Sequence, residues 1–372
     1  MHRNRRGVHP APFPPGPGSY LGRMKRRRFL ALGGLGLGAA AAALGLRRAQ
    51  GNRYYSGPVT DHFDGTRFFN PEGAEPRGFT DMLRWQLGGE KARWPNDVAV
   101  DATRPDARVA DLRVTMVGHA TVLIQADGVN LLTDPVWSRR ASPFDFAGPA
   151  RVTAPGIAFD DLPPIDAVLL SHNHYDHLDL ETLRRLHARH AMPVLTPLGN
   201  DTILTQAIPG IDARAGDWGE VLEVAGASMR LLPCHHWSAR GTADRRHALW
   251  SAFAIGTDAG AIHHVGDTGF HDGRPYRAAT AHGPYRLAIL PIGAYAPRWF
   301  MQDQHQNPEE AVEGFRITGA AHALAHHWGT FQLTDEAREE PPAKLAQALD
   351  AAGIARERFR TLPPGGAWDV PA

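Results

Sequence analysis

The run Ser171-His172-Asn173-His174-Tyr175-Asp176-His177 places three imidazoles and a carboxylate within a few positions of one another. Neutral imidazole and carboxylate are the side chains that hold zinc or a similar first-row metal. So dense a cluster also constrains the fold, because the surrounding chain must bring four polar groups to one place. Ile165 to Leu170 reads as a buried strand, being short, apolar and preceded by Pro163 and Pro164. Leu180, Leu183 and Leu186 have helical spacing, so Leu178 to His190 reads as a helix. The motif therefore sits in a strand-to-helix loop. His172 and His174 project to one side of the extended segment, while Asp176 and His177 point from the turn that opens the helix. One metal would struggle to use all four groups from so short a segment; two adjacent metals can divide them. His187 and His190, further along the helix, are expected to face solvent.

Two metals need more ligands, and three apolar runs downstream supply candidates. Met229 to Pro233 is followed by Cys234-His235-His236-Trp237, Ala261 to Val265 by Gly266-Asp267-Thr268-Gly269, and Ala321 to Ala325 by His326-His327-Trp328-Gly329-Thr330. Each run ends in a potential ligand, as a sheet edge that gathers residues from several strands requires. Gly266 and Gly269 allow close backbone approach around Asp267. A carboxylate has two oxygens and can bridge two cations, which imidazole cannot do. Strand neighbours point to opposite faces, so one member of each pair, His235/His236 and His326/His327, is expected to ligate. His263 and His264, inside a strand, read as core histidines.

The order H-x-H-x-D-H, then His, Asp and His, resembles the metallo-β-lactamase superfamily. That resemblance implies an α/β fold of the αββα sandwich type: two mixed β-sheets packed face to face, with helices outside. The strings Gly118-His119-Ala120-Thr121-Val122, Leu132-Thr133-Asp134-Pro135, Gly266-Asp267-Thr268-Gly269, Pro297-Arg298-Trp299-Phe300-Met301 and His327-Trp328-Gly329-Thr330-Phe331 are similar to N-acylphosphatidylethanolamine-hydrolysing phospholipases D. The similarity runs from about Tyr54 to the C-terminus. It selects His236, because the third ligand of that group precedes a tryptophan, and His327, because the last precedes Trp-Gly-Thr-Phe. It thus implies His172, His174 and His236 on one ion, Asp176, His177 and His327 on the other, and Asp267 bridging. His235 and His326 are left as supporting or core residues.

The ions implied are two Zn²⁺ or other divalent first-row metals. Sharing a water, they would lower its pKa and present hydroxide to phosphorus, expelling an N-acylethanolamine and leaving phosphatidic acid. Asp176 is a candidate proton shuttle to the leaving oxygen. Tyr175, Gln304 and His305 match positions beside the substrate, with His305 also a candidate catalytic group. Asp134 is expected to orient a ligand histidine, and His119 to be structural. The chain departs from the group at Asp145 and Phe146, where the relatives carry a polar and aromatic pair at the lipid headgroup; a carboxylate there would repel phosphate. A lactonase or another ester or amide hydrolase would direct the same centre at a carbonyl carbon. A non-catalytic metal-binding protein would not need so complete a ligand set.

The 372 residues suffice for one large domain, read as 51–372. A net charge of +1 leaves no basic surplus to suggest a nucleic-acid partner. The single Cys234 cannot form an internal disulfide and reads as a small buried hydrophobe. Residues 1–23, rich in Pro, Gly and Arg, are expected to be disordered, and Met24 is a candidate start. Residues 24–50, with Lys25-Arg26-Arg27-Arg28 before an apolar Gly/Ala-rich stretch, resemble a twin-arginine export signal, which implies a periplasmic or membrane-associated protein. Gly78 to Leu87 reads as a short helix whose apolar side chains either pack on the sandwich or meet a bilayer interface, the packing role being favoured. The expected partners are a phospholipid or other phosphodiester substrate, a membrane surface and, by resemblance, a second copy of the chain.

Overall fold

The computed structural model describes residues 51–372; the expected leader at 24–50 and the segment before it lie outside the described residues. The first six strands are β1 (Arg113–Gly118), β2 (Thr121–Ala126), β3 (Val129–Thr133), β4 (Ala167–Leu169), β5 (Val194–Pro197) and β6 (Ala213–Gly216). The next seven are β7 (Val221–Val224), β8 (Ala227–Leu232), β9 (Ala252–Gly256), β10 (Ala261–His264), β11 (Tyr285–Pro291), β12 (His322–His326) and β13 (Phe359–Thr361). A last strand, β14 (Ala367–Asp369), returns to the first sheet, giving the orders β14-β1-β2-β3-β4-β5-β6 and β13-β12-β11-β10-β9-β8-β7. Both sheets are mixed in the same way. The pairings from β14 to β3 and from β7 to β10 are antiparallel, and those from β3 to β6 and from β10 to β13 are parallel.

The helices are α1 (Phe79–Gly88), α2 (Leu180–His190), α3 (Asn200–Ala207), α4 (Arg274–Ala279), α5 (Arg298–Met301), α6 (Pro308–Thr318) and α7 (Glu340–Ala351). Strand alternation sorts the apolar residues into layers. Met116, Ile124, Leu131, Leu169 and Leu195 of the first sheet meet Met229, Leu231, Phe253, Ile262, Leu287 and Leu324 of the second. On the outer side of the first sheet, Leu123, Leu132 and Val168 pack on Leu183 and Leu186 of α2 and Leu204 of α3. On the outer side of the second, Ala288, Leu290 and Ala323 pack on Val312 and Phe315 of α6 and on Leu345 and Leu349 of α7. Because both faces of each sheet are covered, β2 and β4 are buried along their whole length. The result is the αββα sandwich.

Three local expectations are corrected. The strand expected at Ile165–Leu170 is shorter, starting only at Ala167: before it the Asn130 N–H is taken at 2.7 Å by the Asp166 carboxylate, which also pairs with Arg108, and not by a strand carbonyl. His187 and His190 are half-buried rather than turned to solvent, and His190 Nδ1 accepts from the Ile165 N–H at 3.4 Å. The packing role favoured for the N-terminal apolar residues holds for Phe63 and Phe68, which enter the core, but not for α1. Only Trp85 of α1 is buried, stacked on Phe300 of α5 at 5.0 Å; Phe79, Met82, Leu83 and Leu87 are exposed. Among the described residues no helix is long and apolar enough to cross a membrane.

Candidate metal centre

β1, β3 and β4 all reach the same edge of the first sheet near the turn between β1 and β2, so His119, Asp134 and the histidine motif are brought together there. After β4 the chain runs through Ser171 into a turn in which the N–H groups of His177 and Leu178 donate to the His174 carbonyl at 3.1 and 2.8 Å. Asp179 then caps α2, accepting from the N–H groups of Glu181 and Thr182 at 3.1 and 3.2 Å. The second sheet delivers His236 after β8, Asp267 after β10 and His327 after β12. Gly266 must be glycine-like: its φ is +64°, and a Cβ there would sit 2.7 Å from Ser171 Cβ.

Asp267 lies at the middle of the assembly. Its Oδ2 is 3.2 Å from Nε2 of both His177 and His327, 3.7 Å from His236 Nε2, and 3.9 Å from His172 Nε2 and from His305 Nδ1. To one side, His172, His174 and His236 bring ring nitrogens together; His174 Nδ1 is 2.9 Å from His172 Nε2 and 3.2 Å from His236 Nε2. To the other side, Asp176 Oδ2 is 3.3 Å from His327 Nε2 and 3.5 Å from His177 Nε2. All seven residues expected to ligate therefore converge around Asp267.

His119 joins the second group, which was not expected. It is buried at the β1–β2 turn with φ +55°, and its Nε2 lies 2.9 Å from Asp176 Oδ2. Its carbonyl accepts from the His327 N–H at 2.8 Å. His327 itself has φ +63°, and its carbonyl comes so close to Gly293 that a Cβ there would be 2.1 Å away. Non-glycine residues in this backbone region store strain that clusters at functional sites. The signal in the sequence is Gly118-His119 at the end of a strand that finishes on the same edge of the sheet as the motif, visible only once the strand order is known.

Asp134 has the expected orienting role and serves both groups. It accepts from the Ser171 N–H at 2.7 Å, from Ser171 Oγ at 2.7 Å, and from His177 Nδ1 at 2.8 Å. Ser171 Oγ in turn lies 2.9 Å from His172 Nδ1. Fixing the far nitrogen of a ligand imidazole sets its tautomer and orientation. His236 is held by the Gln304 carbonyl, 3.0 Å from its Nδ1, and its own carbonyl accepts from Asn70 Nδ2 at 2.8 Å. The Gln304 side-chain amide is buried without a protein partner, and His305 is half-buried beside the rings of His236 and His327. Tyr175 donates its hydroxyl to the Arg240 carbonyl at 2.8 Å, and the Arg240 guanidinium lies 4.0 Å over its ring. His235 turns away and stacks on His271 at 4.1 Å, while His326 lies between the sheets. Asp145 is exposed, between the exposed rings of Phe144 and Phe146. Cys234 is buried and its thiol is pushed well up by burial, so it is inert.

Burial and neighbouring imidazoles hold His172 and His236 well below the ordinary histidine range, and burial takes His174 and His305 down to about 4. Burial and His327 push His119 down to about 3. Burial alone would raise the carboxyls of Asp176 and Asp267, but the facing His177 and His327 outweigh it and keep both well below the carboxylate range. Reciprocally, His177 is raised well above its usual value and His327 to about 9, the two carboxylates overcoming burial. Asp267 Oδ1, His174 Nε2 and His305 Nδ1 are buried without any protein partner. A buried carboxylate oxygen facing several imidazoles and lacking a donor is what a cation satisfies. The donor set, imidazole nitrogen and carboxylate oxygen, suits a divalent first-row metal.

Comparison with known proteins agrees with this geometry. The model of the beta-lactamase superfamily domain matches residues 129–328. The chain is 35% identical over 329 residues to N-acyl-phosphatidylethanolamine-hydrolyzing phospholipase D 1 of Caenorhabditis elegans, covering 83% of this chain and 92% of that protein. Among solved structures, isothiocyanate hydrolase from Delia radicum gut bacteria superposes with a TM-score of 0.55 at 19% identity, covering 69% of this chain and 98% of that one. A metallo hydrolase from Ignicoccus hospitalis superposes with a TM-score of 0.52 at 20% identity, covering 69% and 97%. The chain belongs to the metallo-β-lactamase superfamily, as a metal-dependent hydrolase. Within it, the extended similarity is to phospholipases of the N-acylphosphatidylethanolamine-hydrolysing type.

Proposed function

We propose that this protein is a dinuclear phosphodiesterase of the phospholipase D type. It cleaves N-acylphosphatidylethanolamine-like lipids to an N-acylethanolamine and phosphatidic acid. The observation that carries the proposal is the position of Asp267, one carboxylate facing two separate sets of ligand-type side chains, in a chain similar to such a phospholipase over nearly that protein's whole length. His172, His174 and His236 would hold one ion, Asp176, His177 and His327 the other, with Asp267 shared; zinc suits this donor set. The bound ions would supply Lewis-acid charge and an activated water.

The remaining steps belong to the chain's own groups. Asp134 and Ser171 fix the tautomers of His177 and His172. Asp176, ionised and accepting from His119, acts as a ligand rather than as the proton shuttle. Gln304 and His305 line the centre and would meet the phosphate, while Tyr175 and Arg240 form a braced wall beside the motif loop. α1 offers a peripheral membrane contact. Its exposed apolar residues sit on a helix that Trp85 anchors to α5, the segment leading directly to Gln304 and His305. The leader at 24–50 would carry the folded protein out of the cytosol.

The test is release of N-acylethanolamine from N-acylphosphatidylethanolamine in mixed micelles by purified protein, with and without chelator. Chelator-sensitive release is expected. Turnover of lactones but not of phospholipid would overturn the substrate assignment, and fewer than two bound ions per active chain would overturn the dinuclear one.

A further inference from the structure

Beneath the centre, between the two sheets, lie two histidines that the mechanism does not use. His264 ends β10 and His326 ends β12. Both are fully buried, and neither ring nitrogen of either residue has a protein hydrogen-bond partner. Their rings are neighbours, with centroids 5.4 Å apart and planes tilted by 42°. Phe253 lies on the other side of His264, its ring nearly parallel at 6.4 Å. A neutral imidazole always carries one N–H, and leaving it unpaired in an apolar interior costs about 1–3 kcal/mol. An apolar residue would avoid that cost, so packing alone does not explain an imidazole at either position.

The direction of His264 suggests what it does. Its Nε2 lies 3.9 Å from Oδ2 of Asp134. That oxygen already accepts from Ser171 Oγ and His177 Nδ1, and a carboxylate has room for a further donor. We propose that His264 is a positioning residue: its Nε2 stands 3.9 Å from Asp134 Oδ2, longer than a direct hydrogen bond but closed by a small side-chain shift, so that His264 steadies Asp134 from below and through it orients His177 directly and His172 by way of Ser171. One buried imidazole thus acts on both halves of the centre without touching either ion. His326 extends this polar layer under His264. The inference rests on the metal-binding reading of the site but not on the identity of the substrate.

Two measurements test it. In the first, zinc affinity is measured by chelator competition for the native full chain and for His264→Phe and His264→Gln. His264→Phe fills the space without a donor and is expected to lose about 10- to 100-fold in affinity for at least one ion, the range for partners that orient ligands. His264→Gln keeps an N–H and is expected to recover most of the loss. Equal zinc affinity in native and His264→Phe, with both ions bound, overturns the proposal.

The second measurement needs no variant: ¹H–¹⁵N spectra of the histidine rings in the zinc-loaded native chain. A slowly exchanging, hydrogen-bonded ring N–H at His264 is expected, and a ring N–H with no hydrogen bond overturns the proposal even if His264→Phe does not fold. A native protein that binds two ions but cleaves no phospholipid would sink the substrate reading and leave this one standing.

Discussion

The two halves of the centre differ in charge. His172, His174 and His236 form a purely imidazole set, held below the ordinary histidine range chiefly by burial. Asp176, His177 and His327 form a mixed set in which a carboxylate and the shared Asp267 hold protons on the two imidazoles. At neutral pH the first half can accept a cation as it stands. The second must give up protons first, because a metal needs the imidazole lone pair. Two ligand sets that look alike in the sequence are therefore unlike in the fold, and the difference arises from which set faces the carboxylates.

The largest effect is expected at the group the halves share. Asp267→Asn removes the charge that both sets face, and hydrolysis should fall by more than about 100-fold, the upper range for outer partners of a metal site. Metal analysis of the purified variant should show a parallel loss of bound metal. If Asp267→Asn kept both ions and its rate, the halves would not be joined through this carboxylate. Next in size are variants of one half at a time. His236→Ala and His327→Ala should each lose one equivalent of metal and keep the other, as read by metal analysis after dialysis. Loss of both ions from either variant would show that the halves do not fill independently.

The pH dependence of metal uptake separates the halves more finely. His327 is raised to about 9, above the ordinary histidine value of 6.5, so its protonated form stabilises the fold in the absence of metal. That contribution is fully present below about pH 6.5 and is lost as pH rises through about 9. The same protons compete with the metal. Affinity in the second half should therefore climb with pH, about tenfold per unit for each proton displaced, and the part of that climb due to His327 should level off above about 9. In the first half His174 sits at about 4, so affinity there should stay flat from neutral pH down to that value. Titration calorimetry in buffers of different ionisation enthalpy counts the released protons. A count that is the same for both equivalents would erase the distinction.

The sequence revealed the centre better than its surroundings because ligands declare themselves by type and spacing, whereas supports are defined by sheet topology. Residues 172–177 were recognisable as a metal motif from their chemistry alone. His236 and His327 were separable from His235 and His326 by the strings that follow them, and the structure places the members of each pair apart, although not by strand alternation: His235 and His236 lie beyond the end of β8, and His327 turns out of β12 with φ +63°. His119 reads as a structural residue because nothing local marks what it meets. Its partner Asp176 is 57 residues away, and the two meet only because β1 and β4 end on the same edge. The same holds for β14, whose place beside β1 depends on the whole chain having folded. The misjudged face of α1 has a different origin. Helical periodicity shows which residues share a face, but not whether anything covers it.

The smallest expected effect concerns that face, and it contrasts α1 with the helices that build the layers. Leu87 and Phe79 are 79% and 71% exposed, whereas Leu183 and Leu186 of α2 are fully buried. Replacing an exposed apolar residue changes stability by about 0.5 kcal/mol or less, so Phe79→Ser and Leu87→Ser should leave the thermal midpoint almost unchanged. In a lipid interface, however, each such side chain contributes up to about 1.5–3 kcal/mol when buried. The double variant should therefore bind phospholipid vesicles at least about tenfold more weakly than the native chain in co-sedimentation. Unchanged vesicle binding would mean that these residues are merely tolerated at the surface. A fall in midpoint of many degrees would mean instead that something in the protein covers them.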